Sequence, residues 1–241
     1  MPDISVVIPC LNEEATLGAC IEKCLDAFKR LGRSGEIVVC DNASTDASAQ
    51  VAARSGARVV FEPRRGYGRA LITGLKAAQG RCLVMGDADN TYDFSEIPAL
   101  IRELQKGADL VMGNRLAAPP AKGAMPWMNR HVGTPALTAC LRVLFGCGAG
   151  DSQCGMRAMT REAFQAMKLS CGGMELTSEM LIKAALCRLK VAEVPISYSR
   201  TAGRKPHLRP WRDGWRNVAV ILRLWPAYLF RSRTASTIDN H

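Results

Sequence analysis

Two aspartates with one residue between them, Asp87 and Asp89, follow directly after the apolar run at residues 83–86. A short apolar run predicts a buried strand, and side chains two residues apart on an extended chain point to the same face. Carboxylate oxygens are the ligands that Mg²⁺ and Mn²⁺ prefer, and these ions keep further positions open for phosphate oxygens. The spacing therefore predicts a site for a divalent cation and a diphosphate, while a turn with a helix cap is the alternative.

The elements before these aspartates alternate regularly between strand and helix. Apolar runs predict buried strands at residues 4–9, 36–40, 57–61 and 83–86, and apolar residues three and four positions apart predict helices between them. This alternation indicates an α/β fold with a parallel sheet, right-handed crossovers and helices on both faces. Three of the strands end in polar or acidic residues, namely Asn12 with Glu13, Asp41, and Asp87 with Asp89. Because open α/β sheets bind ligands at the carboxyl ends of their strands, we expect one site there.

The later part of the chain predicts a less regular set of elements. These are a strand at residues 108–113, helices over 129–145 and 175–186, a polar loop from Asp151 into a strand-like segment, and a strand over 191–198. The helix over 129–145 is either an ordinary packing helix or one that lies at a membrane interface. Glu175 and Glu179 lie one turn apart on a single face of the helix over 175–186.

Residues at the expected starts of two helices indicate either capping or ligand binding. Residues 12–14 are expected to cap the first helix. Gly66 and Gly68 open another helix and resemble a dinucleotide fingerprint, but the third glycine is missing and the motif follows the third strand, which argues against a Rossmann dehydrogenase. Either this helix start receives a phosphate, with Arg64 and Arg69 nearby, or these residues form a solvated basic turn.

Composition and charge restrict the class of protein. The 241 residues, 48% of them hydrophobic, suffice for one large α/β core. The net charge of +10 indicates an anionic partner, which is a nucleic acid, a phosphate-rich ligand or a membrane surface. The ten cysteines lack the paired spacing of a zinc site. Cys10, Cys40 and Cys82 lie in or beside apolar runs, which predicts small core residues and suits a reducing compartment. No signal peptide and no apolar run of transmembrane length is recognisable.

The segment at residues 200–233 is strongly basic. It carries nine arginines and lysines against a single acid, Asp213, and three tryptophans are interleaved with them. Basic residues with tryptophan and short apolar stretches favour an interfacial amphipathic helix over a membrane-spanning one. We therefore expect an α/β domain at residues 1–199, followed by a basic loop and an amphipathic segment at residues 200–241.

Six motifs in a fixed order give the chain a family resemblance. They are V-I-P-C-L-N-E-E at 7–14, V-C-D-N-A-S-T-D at 39–46, G-Y-G at 66–68, D-A-D at 87–89, G-N-R at 113–115 and D-S-Q-C-G-M-R at 151–157. Together they resemble glycosyltransferase family 2, and within it the polyprenyl-phosphate glycosyltransferases of the dolichol-phosphate mannose/glucose synthase type. The resemblance implies a GT-A fold, with a mainly parallel sheet flanked by helices, a divalent cation (Mg²⁺ or Mn²⁺) and a nucleotide-sugar donor, GDP-mannose or a UDP-hexose. It also implies inverting transfer of a hexose to a polyprenyl phosphate at a membrane surface.

The resemblance assigns roles to individual residues. Its metal ligands fall on Asp87 and Asp89. Its other positions fall on Pro9, Leu11, Glu13 and Asp41 around the nucleotide, on Arg115, Arg130 and Thr134 around the lipid phosphate, and on Arg200, Arg204 and Lys205 in a mobile basic loop. Two departures from the family pattern stand out. Thr91 replaces a glutamine that many relatives use as a further metal ligand, and residues 204–207 replace the usual Ser-Lys.

The chemistry of a phosphate acceptor fits this resemblance. A phosphate monoester is mostly ionised near neutral pH, so its reaction needs no general base, and arginines that fix it can replace one. The catalytic candidates are Asp89, Arg115 and Asp151. Asp151 either orients the acceptor or the metal site, or only caps its own loop. Glu175 and Glu179 either line the sugar pocket or are ordinary carboxylates on a helix surface.

Two other functions compete with this hypothesis. One is a GT-A glycosyltransferase that acts on a saccharide hydroxyl. The other is a non-catalytic basic module that binds membranes or nucleic acid, which does not explain acidic residues at three strand ends. The main hypothesis predicts no nucleic-acid partner, and a cytoplasmic protein that is peripheral on the inner face of the membrane.

Overall fold

The computed structural model describes residues 1–117, 124–199 and 210–238 of the chain. Within them one sheet has seven strands, β1 Ile4–Cys10, β2 Gly35–Asp41, β3 Arg58–Phe61, β4 Cys82–Met85, β5 Leu110–Asn114, β6 Arg157–Thr160 and β7 Val191–Pro195. The α-helices of the same residues are α1 Leu17–Leu31, α2 Ser48–Arg54, α3 Tyr67–Ala77, α4 Ile97–Gln105, α5 Thr134–Phe145, α6 Arg161–Met167, α7 Leu176–Leu186 and α8 Pro210–Ile238. Strand and helix alternate as far as β5, in the way that the apolar pattern predicts.

The order of the strands across the sheet is β3-β2-β1-β4-β6-β5-β7. Strands β1 to β4 run parallel to one another, and β5 runs parallel to β7. β6 lies antiparallel between β4 and β5, so that Ala158 is opposite both Val84 and Val111. The prediction of a mainly parallel sheet is confirmed. Its antiparallel strand is not predicted, because the spacing of apolar residues does not encode the direction of a strand.

Helices cover both faces of the sheet. α1, α2 and α4 pack on one face, and α3, α5, α6, α7 and α8 pack on the other. In β1, Val6 and Ile8 point into the first layer and Val7 into the second. Cys10 and Cys40 are buried, as expected for small core residues, whereas Cys82 is only partly buried and packs against the core. Burial on both faces explains why these strands read as continuous apolar runs.

Helices α4 and α6 are not part of the prediction from sequence. α4 buries Ile97, Leu100 and Leu104, which are three and four residues apart, so the signal of an amphipathic helix is present in the sequence. α6 begins after Thr160, whose hydroxyl accepts a hydrogen bond from the N–H of Ala163 at 3.1 Å. A side-chain cap of this kind starts even a short helix.

Some elements differ in extent from the prediction. β7 ends at Pro195, and Tyr198 then forms an isolated bridge with Tyr92. The helix predicted over residues 129–145 begins with a π-helical turn, Asn129–Gly133, before α5. Within the described ranges, none of the helices combines the length and the apolar character needed to cross a membrane.

Candidate active site

The carboxyl ends of β1, β2 and β4 lie side by side. β1 pairs with β2 so that Cys10 is opposite Asp41, and it pairs with β4 so that Val7 is opposite Met85. Asp41, the last residue of β2, is only 6% exposed, and Asp87 follows Met85 by two residues. The residues that the family resemblance assigns to the nucleotide, Pro9, Leu11, Glu13 and Asp41, all lie in or beside the ends of β1 and β2.

The loops after β1 and β2 are bonded to each other. Asn12 Oδ1 accepts a hydrogen bond from the N–H of Thr45 at 2.7 Å, and the N–H of Glu13 donates to Ser48 Oγ at 2.9 Å. Glu14 Oε2 accepts the backbone N–H before α2 at 2.8 Å. The prediction that these side chains cap α1 is wrong, because the cap residue of α1 is Thr16, and its side chain accepts no capping hydrogen bond from the first turn of the helix. Their polar atoms instead join the two loops.

Asp87 and Asp89 are held by different partners. Asp89 is almost fully buried, and its Oδ1 accepts hydrogen bonds from the N–H of Thr91 at 3.0 Å and from the Thr91 hydroxyl at 2.6 Å. Asp87 is half-buried, and its Oδ1 accepts a hydrogen bond from the hydroxyl of Tyr67 at 2.8 Å. Asp89 therefore forms a turn, whereas the helix cap of this segment is Asp93. Thr91 stands at the departure from the family pattern and orients Asp89.

The chemistry of these two carboxylates suits Mg²⁺ or Mn²⁺. Mg²⁺ binds through one or two carboxylates together with phosphates and water, because it gives up its water ligands reluctantly. Among the residues that the structure describes, no group of three or more His, Cys, Asp or Glu side chains lies close enough to hold a metal ion. Two carboxylates are a protein donor set that fits a cation shared with a diphosphate.

Three tyrosines that the sequence analysis does not single out lie beside this pair of aspartates. Tyr67 contacts Asp87, and the hydroxyl of Tyr92 accepts a hydrogen bond from the N–H of Gly155 at 2.8 Å. The rings of Tyr92 and Tyr198 lie 5.2 Å apart. Burial raises the pKa values of Tyr67 and Tyr92 well above the usual value of a tyrosine, so both hydroxyls stay protonated at neutral pH. The three come from separate segments, and no local spacing connects them.

Arg115 and Asp151 form a buried ion pair. Nε and Nη2 of Arg115 donate to the two carboxylate oxygens of Asp151 at 2.7 and 2.9 Å, and the backbone N–H of Arg115 donates at 3.2 Å. The Arg115 guanidinium also lies over the ring of Tyr198, 5.3 Å from its centroid. Asp151 Oδ1 accepts a further hydrogen bond from the N–H of Gln153 at 3.2 Å. Asp151 therefore caps its own loop, as one of the two interpretations states, and also anchors Arg115.

Two charged side chains fix the loop that carries Asp151. Arg157, at the start of β6, is fully buried and donates to three backbone carbonyls at 2.8 to 2.9 Å. Burial lowers the pKa of Arg157. Glu193 of β7 accepts hydrogen bonds from the N–H groups of Gly150 and Asp151 at 2.8 and 3.0 Å. These contacts place Asp151 beside Arg115 with little freedom.

Arg130 and Thr134 lie one helical turn apart at the start of α5. Arg130 belongs to the π-helical turn, and Thr134 is the first residue of α5 and is 7% exposed. Nη1 of Arg130 is buried and has no hydrogen-bond partner among the described residues, so it is a candidate contact for an anion. Of the other residues assigned to the phosphate, Arg115 is bonded to Asp151. Arg200, Arg204 and Lys205 lie outside the described residues.

Glu179 does not line an open pocket. It is fully buried and accepts hydrogen bonds from the N–H groups of Ser170 and Cys171 at 3.0 and 2.7 Å, and from the Lys183 ammonium at 2.8 Å. Burial raises its pKa, but these hydrogen bonds outweigh burial and lower the pKa to about 2. Glu175 accepts the N–H two positions before it at 3.1 Å. The carboxylate of Glu179 thus anchors a loop and is not available to a sugar.

Solved structures share this fold. Glucosyl-3-phosphoglycerate synthase of Mycobacterium tuberculosis, crystallised with Mn²⁺, UDP and glucosyl-3-phosphoglycerate, matches with a TM-score of 0.70 and 28% sequence identity. The match covers 93% of this chain and 80% of that one. The same enzyme crystallised with Mg²⁺ and UDP also gives a TM-score of 0.70. The GT-A fold that the family resemblance implies is confirmed.

Curated proteins are also similar to this chain in sequence. The low-salt glycan biosynthesis hexosyltransferase Agl6 of Haloferax volcanii is 41% identical over 230 residues, which cover 95% of this chain but only 55% of that protein, so the chain spans about half its length. An uncharacterized glycosyltransferase of Mycobacterium tuberculosis is 38% identical over 226 residues, covering 92% of this chain and 96% of the relative. A dolichyl-phosphate hexose transferase of Haloferax volcanii is 32% identical over 214 residues, covering 88% and 89% of the two chains. The family model described as glycosyl transferase family 2 matches residues 5–167. The chain therefore belongs to glycosyl transferase family 2 and is a glycosyltransferase with the GT-A fold.

Proposed function

We propose that this chain transfers a hexose, with inversion at the sugar carbon, from a nucleotide diphosphate sugar to a polyprenyl phosphate. The observation that carries this proposal is the position of Asp87 and Asp89 directly after β4, beside the ends of β1 and β2. Two carboxylates there can hold a cation on a diphosphate, and the adjoining loops remain for the nucleotide. The relative named as a dolichyl-phosphate hexose transferase supports the choice of acceptor.

The donor side of the proposed site is formed by the ends of three strands. A divalent cation bound by Asp87 and Asp89 would stabilise the negative charge of the diphosphate leaving group. The crystal structures of glucosyl-3-phosphoglycerate synthase with Mn²⁺ or Mg²⁺ and UDP support the binding of a cation together with a nucleoside diphosphate. The residues proposed to contact the base and the ribose are Pro9, Leu11, Glu13 and Asp41.

The acceptor side needs groups that bind an anion and does not need a general base. A phosphate monoester, with a second pKa of about 6, is mostly ionised at neutral pH. Asp151 is fully buried and bonded to Arg115, so its role in this proposal is to orient Arg115 and not to remove a proton. Arg130 and Thr134 would bind the phosphate from the start of α5. The basic loop would add further charge through Arg200, Arg204 and Lys205.

The exposed apolar residues of helix α8 support the proposal that the reaction takes place at a membrane surface. Five apolar residues, spaced three and four apart, form an exposed stripe along it, and each is 39 to 70% exposed. The members of this α8 stripe are Trp215, Val218, Leu222, Trp225 and Leu229. Val220 and Ile221, outside this stripe, are buried against the domain, and the exposed Arg212 and Arg223 lie along one side of the stripe. We place this stripe in the interface of an anionic membrane, on its cytoplasmic face.

A transfer assay with several donors and acceptors tests the proposed function. The purified protein is incubated with radiolabelled UDP-glucose or GDP-mannose and a short-chain polyprenyl phosphate, with and without Mn²⁺. We expect a Mn²⁺-dependent lipid-linked sugar from one of these donors, of inverted anomeric configuration by NMR. Parallel reactions contain 3-phosphoglycerate or an oligosaccharide as acceptor. Product from either of these, with none from the lipid, would contradict the polyprenyl acceptor and favour transfer to a hydroxyl.

A further inference from the structure

The hydroxyl of Tyr67 donates a hydrogen bond of 2.8 Å to Oδ1 of Asp87, the first aspartate of the proposed cation site. We propose that Tyr67 is a positioning residue that fixes the Asp87 carboxylate for binding the cation. This inference rests on the proposed function, because it concerns the support of the same site. Groups that hydrogen-bond a metal ligand set its orientation, and their loss typically lowers metal affinity about 10- to 100-fold.

The backbone at Tyr67 is held from the side of β2. Tyr67 is the first residue of α3, and the N–H of Gly66 before it donates to Asn42 Oδ1 at 2.7 Å. Nδ2 of the same buried asparagine donates to the carbonyls of Glu62 and Arg64 at 2.9 and 3.0 Å. One amide side chain therefore ties together both sides of the turn that leads into Tyr67.

A second segment, residues 170–173, holds the start of α3 from another side. The first turn of α3 donates a backbone N–H to the carbonyl of Gly172 at 3.2 Å. A methyl group on Gly66 or Gly68 would overlap carbonyl oxygens of this segment, so only glycine allows the two backbones to approach so closely. The segment itself is anchored by the buried carboxylate of Glu179. The two glycines of the G-Y-G motif thus let the Tyr67 backbone pack tightly against a fixed support.

Gly155 forms a third wall, next to the hydrogen bond itself. A methyl group on Gly155 would lie 3.2 Å from the hydroxyl of Tyr67, from Oδ2 of Asp87 and from the ring of Tyr92. The N–H of Gly155 donates to the Tyr92 hydroxyl at 2.8 Å, which keeps this wall in place. The phenol of Tyr67 and the carboxylate of Asp87 therefore share a confined space in which either one limits the movement of the other.

Tyr92 supplies a matched comparison for Tyr67. Both hydroxyl groups lie beside Gly155, but the Tyr67 hydroxyl is bonded to a carboxylate and the Tyr92 hydroxyl to a backbone N–H. Phenylalanine keeps the ring and removes only the oxygen. Tyr67→Phe therefore removes the bond to Asp87, whereas Tyr92→Phe removes a buried tyrosine hydroxyl without touching that bond.

The experiment measures Mn²⁺ binding by the full chain. Mn²⁺ is titrated into the wild type and both variants with excess UDP and, separately, with excess GDP, and free Mn²⁺ is read by electron paramagnetic resonance. We expect Tyr67→Phe to weaken Mn²⁺ binding about 10- to 100-fold, and Tyr92→Phe to change it less than about threefold. In the transfer assay, Tyr67→Phe should raise the Mn²⁺ concentration for half-maximal rate, while kcat at saturating Mn²⁺ recovers. Melting curves without Mn²⁺ show whether both variants are folded.

Gly155→Ala is the second variant, because its methyl group presses on the same contact from the other side. It should also weaken Mn²⁺ binding, and it tests the inference if Tyr67→Phe does not fold. Unchanged Mn²⁺ affinity in folded Tyr67→Phe overturns the inference, as does equal weakening in Tyr67→Phe and Tyr92→Phe. Absence of Mn²⁺ binding by the wild type with either nucleotide overturns both this inference and the cation part of the proposed function.

Discussion

Arg115 and Asp151 lie 36 residues apart in the chain, yet Nε and Nη2 of the arginine are 2.7 and 2.9 Å from the two carboxylate oxygens of the aspartate. The Asp151 side chain is inaccessible to solvent and the Arg115 side chain is only 10% exposed. Each charge therefore depends on the other for its stability in the interior. Removing one partner of such a pair costs about 3–5 kcal/mol, whereas replacing both with apolar residues is often neutral.

Asp151→Ala is expected to lower the free energy of unfolding by about 3–5 kcal/mol, because it leaves the Arg115 guanidinium buried without a counter-charge. Urea denaturation followed by circular dichroism measures this change. The double variant Arg115→Met/Asp151→Leu removes both charges and should be closer to the wild type in stability. A double variant that is as unstable as Asp151→Ala would show that the pair is not the source of the effect.

Asp89→Asn should abolish cation-dependent transfer and leave the fold intact. Asparagine keeps an oxygen that can accept the hydrogen bonds from Thr91, while the negative charge for the cation is lost. Turnover against Mn²⁺ concentration and a melting curve test both parts. Asp93→Asn is the matched control, since Asp93 also accepts a backbone N–H two residues further on. A near wild-type rate for Asp89→Asn at saturating Mn²⁺ would remove Asp89 from the proposed cation site.

Arg130→Ala should raise the apparent KM for polyprenyl phosphate about tenfold or more, because the guanidinium is a proposed contact of the phosphate and charged hydrogen bonds are strong. Affinity for the nucleotide sugar, measured by calorimetry, should stay nearly unchanged. Arg142→Ala, an exposed arginine of the neighbouring helix α5, is the control for loss of one positive charge. Loss of donor affinity with normal acceptor kinetics would instead assign Arg130 to the diphosphate.

The double variant Trp215→Ser/Leu222→Ser should bind vesicles that contain phosphatidylglycerol more than about tenfold less tightly than the wild type, because two apolar side chains no longer enter the interface. Sedimentation with vesicles at rising salt concentration measures binding and its electrostatic part. Phe61→Ser, at an exposed aromatic residue of edge strand β3, is the control. Equal binding of wild type and double variant would argue against the α8 stripe as the membrane contact.

Glu179 is expected to make the fold sensitive to acid. Its pKa is lowered from 4.5 to about 2 in the folded chain, so its stabilising contribution is complete above pH 4.5 and is lost as the pH falls towards 2. A difference of this size corresponds to about 3 kcal/mol. Glu179→Gln should be less stable than the wild type at pH 7 and should depend less on pH between 4.5 and 2.

Chemical denaturation at a series of pH values tests this dependence. Glu103→Gln is the control, because the ion pair of Glu103 with Lys106 lies on the surface, and it should follow the wild type. A wild type and a Glu179→Gln variant that lose stability in parallel between pH 4.5 and 2 would show that another carboxylate is responsible.

The family, most strands and the position of the D-x-D residues could be predicted from the sequence. Each depends on local information, which is the spacing of apolar residues, the polar residue at a strand end and the order of short motifs. Some features that depend on local sequence were nevertheless predicted incompletely or wrongly. The apolar spacing within α4 supports a helix, although that helix is not part of the prediction. The side chains of Asn12 and Glu14, predicted to cap α1, are bonded to the loop after β2 instead.

The sequence by itself thus determined the GT-A fold and the edge of the sheet where the chemistry lies. Only the tertiary structure decided the direction of β6, the pairing of Arg115 with Asp151, the contact of Tyr67 with Asp87 and the burial of Glu179 in a loop anchor. Each of these depends on how segments far apart in the chain pack and align. A residue's type and its spacing to neighbours record which side is buried, but not which distant group it meets there.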